Sequence, residues 1–136
     1  MKKTLKACAL AMALTAMMTV GAVAAQKQNN VITVMADGTS VVNTKTLAPK
    51  VKGFQGATPL KIYIKSGKIK KIEALANQET PKYFARVKQL LIKKYVGQKV
   101  AKAAKMNPDG VTGATLSSNA VKENIRRGLD FYMENK

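Results

Sequence analysis

From Asn107 to Ser118 the chain reads NPDGVTGATLSS. Asn107-Pro108-Asp109-Gly110 is a turn sequence, and four hydroxyls follow it around Gly113: Thr112, Thr115, Ser117 and Ser118. A helix predicted to begin at Ser117 or Ser118 puts these groups at its mouth. Free N–H groups and the positive end of the helix dipole make that mouth an anion site, with phosphate the usual guest. Gly113 lets the backbone approach a ligand closely. The same residues also suit plain helix capping, because Ser and Thr satisfy the first N–H groups of a helix. This segment alone supports both readings.

The remaining inventory narrows the chemistry. The 136 residues include no His, no Trp and one Cys. A Ser-His-Asp triad and a Cys-His pair both need a His. Zinc, haem and iron–sulfur centres draw on His or on several Cys. No general acid/base pair stands out among Asp37, Glu73, Glu79, Asp109, Glu123, Asp130 and Glu134, so no catalytic residue and no metal ligand is assigned. Redox or group-transfer chemistry here must come from something other than the side chains.

Residues 1–25 read as an address. Lys2, Lys3 and Lys6 precede an apolar run, Ala7 to Ala25, that ends in small residues. This order predicts a secretory signal peptide, cleaved near Ala24 or Ala25, and hence a periplasmic or cell-envelope protein, with a retained N-terminal membrane anchor as the alternative. Cys8 serves as a small apolar residue within it. Without this stretch 111 residues remain, with a net charge of +14 against +17 for the whole chain. The cations are dispersed (Lys61, Lys65, Lys68, Lys70, Lys71, Lys82, Lys88, Lys93, Lys94) rather than gathered into an arm. That pattern suits a solvated surface drawn to anionic lipid or an acidic partner, and nucleic acid is not expected.

The elements that must position the hydroxyl segment follow from periodicity. Residues 26–49 are polar and weakly patterned, apart from a candidate strand at Val31–Met35 with Asp37-Gly38 as its turn. Leu60, Ile62 and Ile64 alternate with Lys61, Tyr63 and Lys65, the pattern of a half-buried strand. Ser66-Gly67 then turns the chain into a second strand over Lys68 to Leu75. Ile69 and Ile72 fall on opposite parities there, which either a bulge or burial on both faces would reconcile. Thr80-Pro81 is a helix start, and Phe84, Val87, Leu91 and Tyr95 keep helical spacing up to Gly97. A short helix is predicted from Gln98 to about Lys105. A last one carries Val121, Ile125, Leu129 and Tyr132 inward. The predicted fold is α+β, a single domain with a small twisted, mainly antiparallel sheet covered by helices.

On these residues the chain resembles the FMN-binding domain family. The matching stretches are Gly53-Phe54-Gln55-Gly56 with Pro59-Leu60, Gly67-Lys68-Ile69, Asn77 to Phe84 with its Glu79-Thr80-Pro81, and Asp109 to Ser118. The family includes the covalently flavinylated periplasmic subunits of sodium-pumping NADH:quinone reductase and of the Rnf complex. It also includes small stand-alone exported flavoproteins, which this chain matches better. The resemblance places the domain at residues 50–136. It implies FMN attached covalently by a phosphoester to Thr115. It also implies that a flavin transferase, taking FMN from FAD with magnesium, recognises Asp109, Thr112, Gly113, Ala114 and Thr115. Glu79, Thr80 and Pro81 correspond to the loop that approaches the flavin. Ser117 and Ser118 would stand near the phosphate. Phe54 fits either a core or a pocket role.

The function implied is an exported electron-transfer module with redox donor and acceptor proteins, membrane-bound ones among them. Two other readings are an accessory flavin domain feeding a separate reductase, and a basic binding protein that has lost the flavin. An electron carrier is expected rather than an enzyme acting alone.

Overall fold

The computed structural model describes residues 31–136. The signal-peptide reading of residues 1–25 lies outside them. The described chain forms a four-stranded sheet in the order β1 (Ile32–Val34), β2 (Ser40–Asn43), β3 (Leu60–Lys65), β4 (Lys68–Ala74), with every neighbour antiparallel. The predicted α+β architecture is therefore present. β2, which periodicity did not mark, is an interior strand paired with both β1 and β3.

The β3–β4 hairpin turns on Ser66 and Gly67, at φ 54° and 73°. Two successive positive φ values give a turn whose twist matches that of the flanking strands. Of the two explanations for the parity of Ile69 and Ile72, the bulge is the one present. Tyr63 faces Lys71 while Ile64 faces Ile69, so Lys70 has no partner on β3. The extra residue brings Ile69 and Ile72 onto the face of Ile64 and Ile62, their cross-strand partners. Beyond β4 the chain segment Gly97–Val100 runs alongside it. Gln98 O accepts from Ile69 N–H at 3.0 Å, Gly97 N–H donates to Ile69 O at 2.7 Å, and Val100 N–H donates to Gly67 O at 3.0 Å.

Helix α1 (Pro81–Val87) continues into a π-helical stretch (Lys88–Ile92) and a final α turn, α2 (Lys93–Tyr95). The wider π turn lets Leu91 and Ile92 both face the core with Phe84, Val87 and Tyr95, while Leu90 is turned to solvent. The short helix is α3 (Val100–Ala103). The last helix, α4 (Thr115–Asn135), starts earlier than Ser117 or Ser118. Gly113, at φ +83°, ends the preceding loop, and Ala114 is the N-cap residue whose carbonyl accepts from Ser118 N–H at 2.9 Å. The two serines are thereby the third and fourth helical residues and face inward.

α4 lies on β2 and β3. Val121, Ile125 and Leu129 are fully buried, and Tyr132 packs partly buried at the edge of the same core. Close approach is set at Gly128, where a Cβ would stand 2.8 Å from Ile62 Cδ1 and 2.9 Å from Thr44 Cγ2. A polar clamp lies one turn away. Thr44 Oγ1 donates to Asn124 Oδ1 at 2.6 Å and accepts from Leu60 N–H at 2.9 Å, and Asn124 Nδ2 donates to Ala120 O. Both side chains are buried, so the pair satisfies groups that water cannot reach. On the outer side Arg127 donates to Glu123 and to Leu47 O, tying the helix to the loop after β2.

Two outcomes follow for stability. Gly128→Val forces apart a helix and a sheet already in contact and should cost about 1–3 kcal/mol, read as a lower urea midpoint at unchanged slope. The hydrogen bond from Arg126, reinforced by Arg127, depresses the Glu123 carboxyl to about 2 from its ordinary 4.5. A depressed carboxyl stabilises the fold above its unfolded value. That contribution is lost as pH falls from about 4.5 to about 2. The pair is partly exposed and screened by solvent, so Glu123→Gln should remove no more than about 1 kcal/mol of acid-dependent stability, seen by comparing urea midpoints at pH 6 and pH 3.

Candidate functional site

The site is assembled around Glu79. Asn77 shapes the loop before α1: its Oδ1 accepts from Glu79 N–H at 3.0 Å and its Nδ2 donates to Leu75 O at 2.8 Å. This Asx turn aims the Glu79 side chain inward, where only 7% of the residue is exposed. Its carboxyl accepts from the Phe54 backbone N–H at 3.1 and 3.3 Å, from Thr58 Oγ1 at 2.8 Å and from Ser117 Oγ at 2.8 Å. A buried carboxyl needs such donors, because removal from water is otherwise costly. Two segments far apart in sequence, Phe54–Thr58 and the head of α4, thus converge on one side chain.

Gly53 makes the arrangement possible. A Cβ there would fall 1.6 Å from Glu79 Oε1 and 2.8 Å from Thr58 Oγ1. The Gly53–Gly56 loop closes on itself through Gly53 N–H to Gly56 O at 2.7 Å, which holds Phe54 at the surface. Thr80 is the N-cap residue of α1. Its side chain makes no capping hydrogen bond, and Pro81 occupies the first helical turn.

The second wall is the head of α4. Val111 N–H donates to Ser118 Oγ at 2.9 Å, and Ala114 N–H donates to Val111 O at 2.9 Å. Gly110 gives Ser118 room, since a Cβ there would lie 3.2 Å from Ser118 Cβ. These bonds fold the Gly110–Ala114 loop back on the helix and leave Thr115, its first residue, exposed. Ala114 has no side-chain acceptor to offer, so the N–H groups of the first turn receive no side-chain cap.

Between the walls is a cavity of about 450 Å³, in the size range of small-molecule sites. Its buried lining includes Glu79, Ala114 and Ser117. Phe54, Tyr83 and Leu116, respectively 63%, 45% and 55% exposed, give it aromatic and aliphatic surface at the solvent side. Thr115 and Gly113 stand beside them. The arrangement suits a ligand with a flat apolar body and an anionic end: apolar rings take the body, and the helix terminus takes the anion.

Of the residues singled out from sequence, Glu79, Thr80, Gly113, Ala114, Thr115 and Ser117 meet on this cavity. Asp109 and Thr112 are exposed and off its lining, as is Pro81, and Ser118 is a fully buried brace behind it. The hydroxyls of Ser117 and Ser118 are already engaged, with Glu79 and with Val111 N–H. Phe54 takes the pocket role rather than the core one. Tyr83 and Leu116 escaped the sequence reading. Tyr83 could have been found, because the inward register Phe84–Val87–Leu91 turns its neighbour outward.

The Glu79 junction can be tested by a double-mutant cycle. Glu79→Ala strands buried donors and should lower stability by about 1–3 kcal/mol, with Glu79→Gln losing less. Gly53→Ala displaces the same carboxyl. The double variant should fall short of the summed losses by about 0.5–3 kcal/mol, measured from urea unfolding curves.

No curated protein and no solved structure gives a significant match to the chain. The family model for the FMN-binding domain matches residues 53–130. That span runs from the glycine beside Glu79 to Asp130, late in α4, and contains the Glu79 loop and all residues that line the cavity. It covers more than half of the 136 residues, and the chain belongs to the FMN-binding domain family.

Proposed function

We propose that this FMN-binding chain is an exported electron-transfer module that carries FMN as a phosphoester on Thr115 Oγ1. The observation that carries the reading is the position of that hydroxyl. Thr115 is exposed, is the first residue of a 21-residue helix, and lies on a cavity with aromatic surface. The residues fit the group. The first-turn N–H groups of α4 face an anion without a competing side-chain cap, and Phe54, Tyr83 and Leu116 offer surface to a flat ring system. Bound there, FMN supplies the redox chemistry that this side-chain inventory lacks.

Each residue has a defined part. In maturation by a flavin transferase, Thr115 Oγ1 forms the new bond to the flavin-side phosphorus of FAD and loses its proton. The pyrophosphate linkage breaks and AMP leaves. Asp109 and Thr112, exposed around the turn, are available to that transferase. Gly113, at φ +83°, lets the loop reverse immediately before the acceptor. Ala114 leaves the helix mouth clear, and Glu79 holds Ser117 and the Phe54 loop in position. The basic, apolar, small order of residues 1–25 supports export. Outside the cytoplasm a dissociated cofactor is lost, and a covalent bond prevents that loss. Redox donor and acceptor proteins, membrane-bound ones included, would complete the circuit.

Intact mass under denaturing conditions tests the assignment. The exported protein is co-expressed with a flavin transferase whose competence is verified on a known substrate. Wild type should gain one FMN less one water, and Thr115→Ala, with an unchanged circular dichroism spectrum, should gain nothing. An unmodified wild type, or a modified Thr115→Ala, overturns the assignment.

A further inference from the structure

We propose that the outward face of α1, the π-helical stretch and α2 is the docking surface for an acidic one-electron carrier protein. The inference rests on the reading that FMN is held beside Thr115. Between Thr80 and Pro108 the chain has eight Lys and Arg residues, five of them on the Pro81–Tyr95 face, and no Asp or Glu. None of the eight forms a salt bridge among the described residues, whereas Asp37, Glu73, Glu123 and Asp130 are all paired with cations elsewhere. The positive charge of this region is therefore uncompensated and open to a partner.

The patch is continuous with the cavity. Tyr83 lines the cavity and also belongs to the exposed side of α1, where Lys82, Arg86, Lys93 and Lys94 are exposed as well. Leu90, 52% exposed, lies among these cations because the π turn spends the buried positions on Leu91 and Ile92. The 15 residues from Pro81 to Tyr95 extend about 22 Å at helical rise. A short patch with a small apolar centre and a charged border matches the compact, weak interfaces of redox encounters. Charge complementarity there raises the association rate and orients the partner over the cavity mouth. The step itself makes and breaks no bond: one electron leaves the partner's centre, which is oxidised, and enters the flavin, which is reduced by one electron.

A lipid surface would also be drawn to cations. Continuity with the redox cavity favours a protein, because electrons must arrive at the flavin.

The test uses the flavinylated full-length protein and a reduced plant-type ferredoxin, an acidic [2Fe–2S] carrier, as the probe. Electron uptake is followed by stopped flow at low and high ionic strength. Two charge-matched variants are compared. One is Lys82→Glu/Arg86→Glu/Lys93→Glu. The other is Lys45→Glu/Lys61→Glu/Lys136→Glu, placed near the ends of β2, β3 and α4. The wild-type rate should fall with added salt. The α1 variant should be at least about tenfold slower at low salt, and the control variant should stay near wild type. Equal slowing of the two variants, or none, overturns the proposal.

Carbodiimide cross-linking to the same ferredoxin gives a readout independent of flavin. Links should concentrate on Lys82, Lys88, Lys93 and Lys94, and links spread equally to Lys45 and Lys61 overturn the proposal. A protein that cross-links on α1 yet carries no flavin defeats the cofactor reading and leaves the docking surface standing. Unchanged ferredoxin rates, with co-sedimentation on phosphatidylglycerol vesicles lost only in the α1 variant, overturn it in favour of a membrane.

Discussion

A carboxyl group withdrawn from water is the constraint on which the site is built. Glu79 can be buried only if donors come to it, and they come from three places: the loop before β3, Thr58 at its end, and the head of α4. Each donor belongs to a wall of the cavity or to the segment that holds one. The interaction that satisfies a buried acceptor therefore also fixes the cavity's shape. Gly53 is the complement of the same constraint, since the carboxyl occupies the space that any side chain there would need. The loop residues of the FMN-binding region are in this sense organised by one interior acceptor rather than by the sheet beneath them.

The regular elements do a different job. The strands anchor the loops and helices without entering the cavity, and the first residues of α4 and Tyr83 of α1 line it. α4 is held on the sheet by Gly128 and by the Thr44–Asn124 pair, and its head is held by Ser117 and Ser118. Thr115 lies just before these two braces, exposed yet attached to a helix that has little freedom to slide. Preorganisation of this kind lowers the ordering cost of binding a ligand. The charge follows a similar separation: an interior acceptor at the cavity, paired ions along α4, and unpaired cations on α1 to α3.

Much of this was legible in the sequence where one physical signal dominated. The β3–β4 hairpin could be read because alternation and a Ser-Gly turn agree, while the parity of Ile69 and Ile72 allowed a bulge or burial on both faces and only strand pairing decides between them. Thr80-Pro81 marked the start of α1 because proline suits only the first turn of a helix. β2 was hidden: four residues with Val41 and Val42 adjacent give no alternation, and its place comes from pairing on both sides. The start of α4 was misjudged because Ser117 and Ser118 look like caps. Their hydroxyls are instead directed to partners 38 residues upstream and seven residues back, which no local pattern reports. The motif residues of the site were visible as a resemblance. Phe54's surface position, the Thr58 donor and the role of Tyr83 depend on convergence in space and were not.

The seam along β4 has a bearing on how the protein behaves in a crowd. A free strand edge is a template on which another chain can add itself, and aggregation starts there. Residues Gly97–Val100 occupy the start of that template, with three backbone hydrogen bonds to Gly67 and Ile69. Among the described residues the opposite edge is β1, only three residues long. So short an edge offers an incoming strand little to pair with, and on the other side the start of β4 is already occupied at Ile69.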